Sequence, residues 1–158
     1  MRDAYSGIIN IVFVVLVLVI IEGILGLIVS YTKAFKMKNA VISHIENYEG
    51  SGCDGSMGTD TGCIKEIRNS AKRLAYSPSS LNKCSGMTPV AIDGKVYYCF
   101  TKTSETKDVQ VGNITIKRTY DIYTVVTQID LSFPIIEHVM GMRFFQVSGS
   151  TKPILRPK

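Results

Sequence analysis

The sequence predicts an α+β protein: a long N-terminal transmembrane helix continues into an extracytoplasmic domain, in which a second helix packs on a small antiparallel sheet. Three observations predict it. An almost unbroken apolar run covers Ile8 to Val29. Apolar residues then recur at spacings of three and four, the period of a helix with one buried face. In the second half the pattern changes to β-branched and aromatic residues punctuated by Asp93-Gly94 and Gly112-Asn113, the signature of hairpins. The expected organisation is a short leader or cytoplasmic tail at 1–7, the membrane helix at 8–29, a helical extension at 30–49, a disulfide-stapled domain at 50–152 and a tail at 153–158.

The apolar run is interrupted only by Asn10, Glu22, Gly23 and Gly26. As a helix it rises about 33 Å, enough for a hydrocarbon core of about 30 Å. A cleavable secretory signal is the competing reading, with Ile28 and Ser30 as a weak cleavage site. The run exceeds the roughly 7 to 15 residues of a signal core, and its basic head is Arg2 alone. A retained anchor is therefore expected. Beyond it, Ala34, Met37, Val41, Ile45 and Tyr48 form an apolar stripe with Lys33, Lys36, Lys38, Asn39 and Glu46 between them. With no proline from Ile8 to Tyr48, one continuous rod is predicted, stopped by Gly50, Ser51 and Gly52.

Orientation is read from two opposed signals. Lys33, Lys36 and Lys38 follow the span, which by the positive-inside rule would hold the following domain in the cytoplasm. Cys53, Cys63, Cys84 and Cys99 contain no C-x-x-C pair and have few histidines nearby, so disulfides outrank a zinc site. Disulfides require an oxidising compartment. The cysteines take precedence, because a long domain after one N-terminal span is exported largely regardless of a few flanking charges. Short loops close most readily, so Cys53 with Cys63 and Cys84 with Cys99 is the expected pairing, the other two connectivities remaining open.

Cys53 and Cys63 bracket a turn-rich stretch of Gly, Ser, Asp and Thr, read as a surface loop. Ile64, Ile67, Ala71, Leu74 and Ala75 mark the apolar face of the second helix. Thr59, Asp60 and Thr61 are possible caps, and Ser77, Pro78, Ser79 and Ser80 the terminator. Lys65, Arg68, Lys72 and Arg73 occupy its solvated face. Strands follow at Thr88–Ile92 and Lys95–Thr101 around Asp93-Gly94, then at Val109–Val111 and Ile114–Phe133 around Gly112-Asn113. Asp121, Tyr123, Val125, Thr127, Ile129 and Leu131 share one face of the longest strand, and Tyr120, Ile122, Thr124, Val126, Gln128 and Asp130 the other. Pro134 to Met140 reads as a crossover, Arg143 to Ser148 as a final strand and the residues from Pro153 as a loose tail.

These features define a resemblance. An apolar N-terminal rod leading into a small sheet, closed by Thr124 to Ile154 with Phe133-Pro134-Ile135-Ile136 and Gly149-Ser150-Thr151, resembles the TadE and TadG group of pilin-like proteins of the tight-adherence (Tad) pilus, a type IV pilus relative. The resemblance implies a minor pilin or pseudopilin: a structural or assembly subunit whose partners are the membrane, other pilin-like subunits and the assembly machinery. It also implies a leader ending in glycine, for which Gly7 is the candidate, and a glutamate five residues into the mature helix. That position holds Val12, and the acid within the span is Glu22. Glu22 with Gly23 and Gly26 is the candidate helix-packing site, since small residues let helices approach closely.

Little in the chain points to catalysis or cofactors. There is no phosphate-cradling glycine loop, nucleophile elbow or H-E-x-x-H helix, so no enzyme activity, metal, cofactor or small-molecule substrate is expected. His44 and His138 read as structural. The formal net charge of +5 is spread along the chain instead of concentrated. Tyr97, Tyr98, Phe100, Lys102, Lys117, Arg118 and Tyr120 could form a basic aromatic surface for nucleic acid, but strand aromatics are more often core, which weighs against that partner. The alternative to a pilin-like subunit is a solitary single-pass binding or sensing module of the cell envelope.

Overall fold

The computed structural model describes residues 2–55, 62–78, 84–112, 114–130 and 144–156. Helix α1 (Arg2–Asn47) runs 46 residues without a break. Helix α2 (Gly62–Arg73) follows, then strands β1 (Thr88–Ile92), β2 (Lys95–Val111), β3 (Ile114–Asp130), β4 (Phe144–Ser150) and β5 (Ile154–Leu155). The strands form one antiparallel sheet in the order β1-β2-β3-β4, with β5 pairing β3 beyond the end of β4. The architecture is α+β.

Burial divides α1. Its first half exposes Ile9, Phe13, Leu16, Leu18, Ile24 and Leu25, whereas Ala34, Met37, Val41 and Ile45 are buried in the second half. These four lie on one stripe and meet Ile64, Ile67 and Ala71 of α2 and Tyr98, Tyr123, Val125 and Val147 of the sheet. Leaving a large apolar side chain in water forgoes about 1.5–3 kcal/mol, so this stripe, not helix propensity, holds the rod to the head. Tyr48, expected on the stripe, is exposed because α1 has already ended at Asn47. At Gly149 of β4 the rod packs closely on the sheet: a Cβ there would lie 3.0 Å from Ile42 and Lys38 side-chain atoms.

Both helices stop in the same way. After α1, Gly50 N–H donates to the Ile45 carbonyl and Glu49 N–H to that of Glu46. After α2, Tyr76 N–H donates to Ala71 and Ala75 N–H to Lys72. These are paired six-to-one and five-to-two bonds that satisfy the last carbonyls, with the left-handed position taken by Glu49 (φ 51°) and Ala75 (φ 47°). Ala75 was expected on the apolar face of α2 but is exposed past its end. The caps expected at Thr59, Asp60 and Thr61, and the terminators Ser79 and Ser80, lie outside the described residues.

The β1–β2 turn has φ 53° at Asp93 and 74° at Gly94, both positive as a tight hairpin with right-handed twist demands. Polar Lys102 to Asp108, expected as a break, belongs to β2, which pairs β3 without interruption from Cys99↔Val126 to Val111↔Ile114. A ladder needs its backbone bonds, not apolar side chains, wherever both faces meet water. Along this ribbon Thr103 to Asp108 and Ile114 to Arg118 are all exposed. The final strand ends at Ser150, two residues later than expected, and the expected tail from Pro153 is partly ordered: Ile154 and Leu155 pair Asp121 and Tyr120. The crossover at Pro134 to Met140, with Phe133-Pro134-Ile135-Ile136 and His138, lies outside the described residues, as does Asn113.

Two substitutions test the helix ends. Gly50 has φ 76°, and a Cβ there would meet the Tyr123 ring, with Cζ at 2.6 Å. Gly50→Ala is expected to destabilise the head by about 2–4 kcal/mol, combining left-handed strain with overpacking. Ala75→Gly removes a side chain from a left-handed position and should stabilise by about 0.5–1 kcal/mol. Denaturant titration of the full chain in detergent micelles reads both, and the two shifts must have opposite signs.

Candidate functional site

Three regions carry features that the core does not consume: the exposed half of α1, the junction of α1 with α2, and a carboxylate cluster on β3. In the first, Ile8 to Val29 present a nearly all-round apolar surface, and α1 is long and apolar enough to cross a membrane. Glu22 is exposed, a Cβ on Gly23 would meet nothing within 4 Å, and Gly26 is half-buried. The three lie within five residues of one helix, so the chain brings them together by local geometry alone. Gly7 falls within the first two turns of α1, with no change of backbone there to mark a leader.

At the junction α2 runs antiparallel to α1. Gly62 lies beside Tyr48, Ser70 beside His44, and Arg73 and Leu74 share a cleft with Lys36 and Ala40. The basic end of α2 therefore faces back along the rod toward its apolar half. His44 Nε2 and Ser70 Oγ are 3.0 Å apart, and Arg73 donates to the same hydroxyl at 3.2 Å. Burial lowers the His44 pKa, assisted by the Arg73 charge and opposed by Glu66. The Ser70 hydroxyl thus links the two side chains, accepting from Arg73 and sharing a hydrogen bond with Nε2. No such link was expected from the sequence, which had marked His44 only as structural.

On β3, Asp121 is almost fully buried, its side chain 7% accessible. Ser104 donates to it at 2.7 Å, Lys102 pairs with it at 2.8 Å, and Arg156 reaches it through Nε at 3.1 Å and a terminal nitrogen at 2.9 Å. Burial alone would raise the Asp121 carboxyl, but the hydrogen bonds from Lys102, Ser104 and Arg156 outweigh it and hold the pKa down at about 2. Lys102 is raised by the same hydrogen bond. The cluster fastens the C-terminal segment to the sheet. Two more bonds hold the same segment: Tyr123 N–H of the sheet donates to Thr151 Oγ1 at 3.0 Å, and Lys152 N–H donates to Glu46 of α1 at 2.8 Å. Asp121 had been legible only as one of a row of residues on a strand face, because its partners come from β2 and from beyond β4.

The cysteines form Cys53–Cys63 and Cys84–Cys99, each closing a short stretch of chain. The first ties the end of α1 to the start of α2. The second lies on the sheet face opposite the helices, where Cys99 packs with Val96 and Val126 beneath Cys84 and Met87. The aromatics weighed for nucleic acid are dispersed: Tyr98 is fully buried and donates to the Cys53 carbonyl, Tyr97 and Phe100 pack on the core, and Lys102 is committed to Asp121. Among the described residues no three metal-ligating side chains converge. Against known proteins, the chain matches no family model, no curated protein and no solved structure.

The Asp121 cluster sets a pH dependence with a defined sign. A carboxyl whose folded pKa is depressed contributes stability that is complete above its unfolded value near 4 and is lost as pH falls toward 2. Asp121→Asn should cost about 1.5–3 kcal/mol at pH 7. In denaturant titrations at successive pH values, the gap between the variant and the parent chain should close progressively from pH 4 to pH 2.

Proposed function

We propose that this chain is a membrane-anchored, pilin-like structural or assembly subunit of a tight-adherence type surface pilus, with its head outside the cytoplasm. The observation that carries the reading is the division of α1: one face of its second half is covered by the chain's own head, while its first half is apolar and uncovered. A helix built this way requires lipid or neighbouring helices around its first half. Glu22, Gly23 and Gly26 supply a small-residue contact and a carboxylate inside that surface. A carboxylate in the apolar layer costs about 2.5–3.5 kcal/mol unless it finds a partner or reaches water, which favours an intersubunit contact for Glu22. Two disulfides support a head in an oxidising compartment. Gly149 and Thr151, part of the resemblance to the TadE and TadG group, have definite roles here: Gly149 admits α1 against β4, and Thr151 locks the chain onto Tyr123. The proposed subunit works by association and has no enzymatic step.

One observation favours a second reading, a solitary anchored module of the envelope: Val12 stands where the resemblance implies a helix glutamate. The two readings separate on lateral contact. Because the four native cysteines are paired, Gly23→Cys introduces a single free thiol. In membranes of the expressing cell under mild oxidation, the subunit reading expects cross-linked dimers in at least several-fold excess over an Ile9→Cys control. Monomer alone at both positions would leave the solitary module. Intact-mass analysis of the membrane-bound chain bears on the leader: loss of residues 1–7 marks prepilin processing after Gly7, while loss of about thirty residues would mark a cleaved secretory signal and remove the anchor.

A further inference from the structure

We propose that the cleft between α1 and α2 holds the phosphate of an anionic phospholipid headgroup, drawn from the leaflet in which the head-proximal end of the membrane span sits. The inference rests on the membrane-anchor reading above and adds to it a specific lipid contact.

Lys36 and Ala40 from α1, Ser70 and Arg73 from α2 and Leu74 just past its end line this cleft of about 310 Å³. The volume is at the small end of the range for ligand sites and suits a phosphodiester with its glycerol. Its height along the rod is the first reason for the assignment. Lys36 lies seven residues beyond Val29, about 10 Å along the helix axis. The headgroup layer extends roughly 5–8 Å outside the hydrocarbon. Side chains on a helix lean toward its N-terminus, which for α1 is toward the membrane, so the long Lys36 stem covers the remaining distance. Lys33, half-buried one turn lower, lies within the layer itself.

Charge is the second reason. Among the described residues Lys36 has no hydrogen bond or ion pair, and the partner of Arg73 is the neutral Ser70 hydroxyl. Arg73 spends one of its five donors there and keeps a fork able to take two phosphate oxygens. The Ser70 contact also orients the guanidinium. Lys72 beside it, with Arg73, outweighs the partial negative charge at the end of α2. Glu66, the carboxylate that bears on His44, lies about two turns further from the membrane than Arg73. Half-buried Leu74 offers an apolar edge for the glycerol and the first acyl carbons.

Native mass spectrometry of the full-length protein released from nanodiscs of equal phosphatidylglycerol and phosphatidylcholine tests the clamp. Phosphatidylglycerol should be retained about fivefold or more over phosphatidylcholine, and Lys36→Gln should lower that preference about fivefold, the usual effect of one cation near a lipid surface. Arg73→Gln should act alike. Because Arg73 also supports Ser70, the exposed and unbonded Lys36 is the deciding position. Lys65→Gln, exposed at the opposite end of α2, should leave the preference unchanged. Equal retention of both lipids, or a preference that survives Lys36→Gln, overturns the clamp. Displacement of the bound lipid by millimolar inorganic phosphate, with phosphate binding equally well in pure phosphatidylcholine, would assign the site to a soluble anion and overturn the lipid source. A chain that fails to enter nanodiscs of either composition overturns the anchor reading and the clamp together, an outcome distinct from insertion without lipid preference.

Discussion

One helix faces two environments, and the rest of the molecule depends on how the transition is made. Between Ala34 and Ile45 the rod supplies a stripe that the sheet and α2 cover completely, and toward the N-terminus that cover thins, with Leu27 still partly buried against the core and Ile24 and Leu25 exposed. Thr127 marks the seam: its hydroxyl donates to the Ala34 carbonyl at 3.1 Å across 93 residues of chain. A helix interior has no spare donors for its carbonyls, so this bond is added to the helix's own ladder and fixes the rod along the sheet as well as against it. The stripe meets α2 through Ile64, Ile67 and Ala71 and the sheet through Tyr98, Tyr123, Val125 and Val147, so both parts of the head are seated on it.

The sheet face away from the rod is held by different means. Val126 and Gln128 point away from α1 yet are buried, because the Cys84–Cys99 loop covers them and Gln128 Nε2 contacts Cys99 Sγ at 3.5 Å. Tyr76, just past α2, donates to the Gln128 carbonyl at 2.6 Å. A head this small cannot bury both faces of its sheet with helices, and covalent closure supplies the missing cover. The Cys53–Cys63 bridge acts where chain entropy would otherwise separate α1 from α2, and Tyr98 donates to the Cys53 carbonyl directly beneath it. On this frame the β2–β3 ribbon extends beyond any cover. Its cross-strand pairs Val109↔Ile116 and Val111↔Ile114 place apolar residues near the tip, with Ile114 68% accessible.

Much of this architecture was legible in residue order because it is local. Length and apolarity mark a helix able to cross a membrane, the three-and-four spacing of Ala34, Met37, Val41 and Ile45 defines the buried stripe, and Asp93-Gly94 defines a turn whose two positive φ values admit few other residues. The misreadings share one cause. Lys102 to Asp108 fell between two expected strands because its polar residues carry no apolar alternation, and the residues after Pro153 looked like a tail because their pairing partners lie more than thirty positions away. Tyr48 and Ala75 continued a periodicity past helix ends that are set by backbone hydrogen bonds, not by side-chain pattern.

The sequence by itself determined that an apolar rod precedes a small α+β head with paired cysteines, since hydrophobic period, turn chemistry and composition act between near neighbours. Only the tertiary structure decided that Asp121 gathers Lys102, Ser104 and Arg156, that His44, Ser70 and Arg73 form one chain, and that the basic end of α2 turns back beside Lys36. Such groupings arise when strands and helices distant in sequence pack together. Electrostatic and hydrogen-bond partnership depends on separation in space, which linear spacing does not encode beyond a few helical turns.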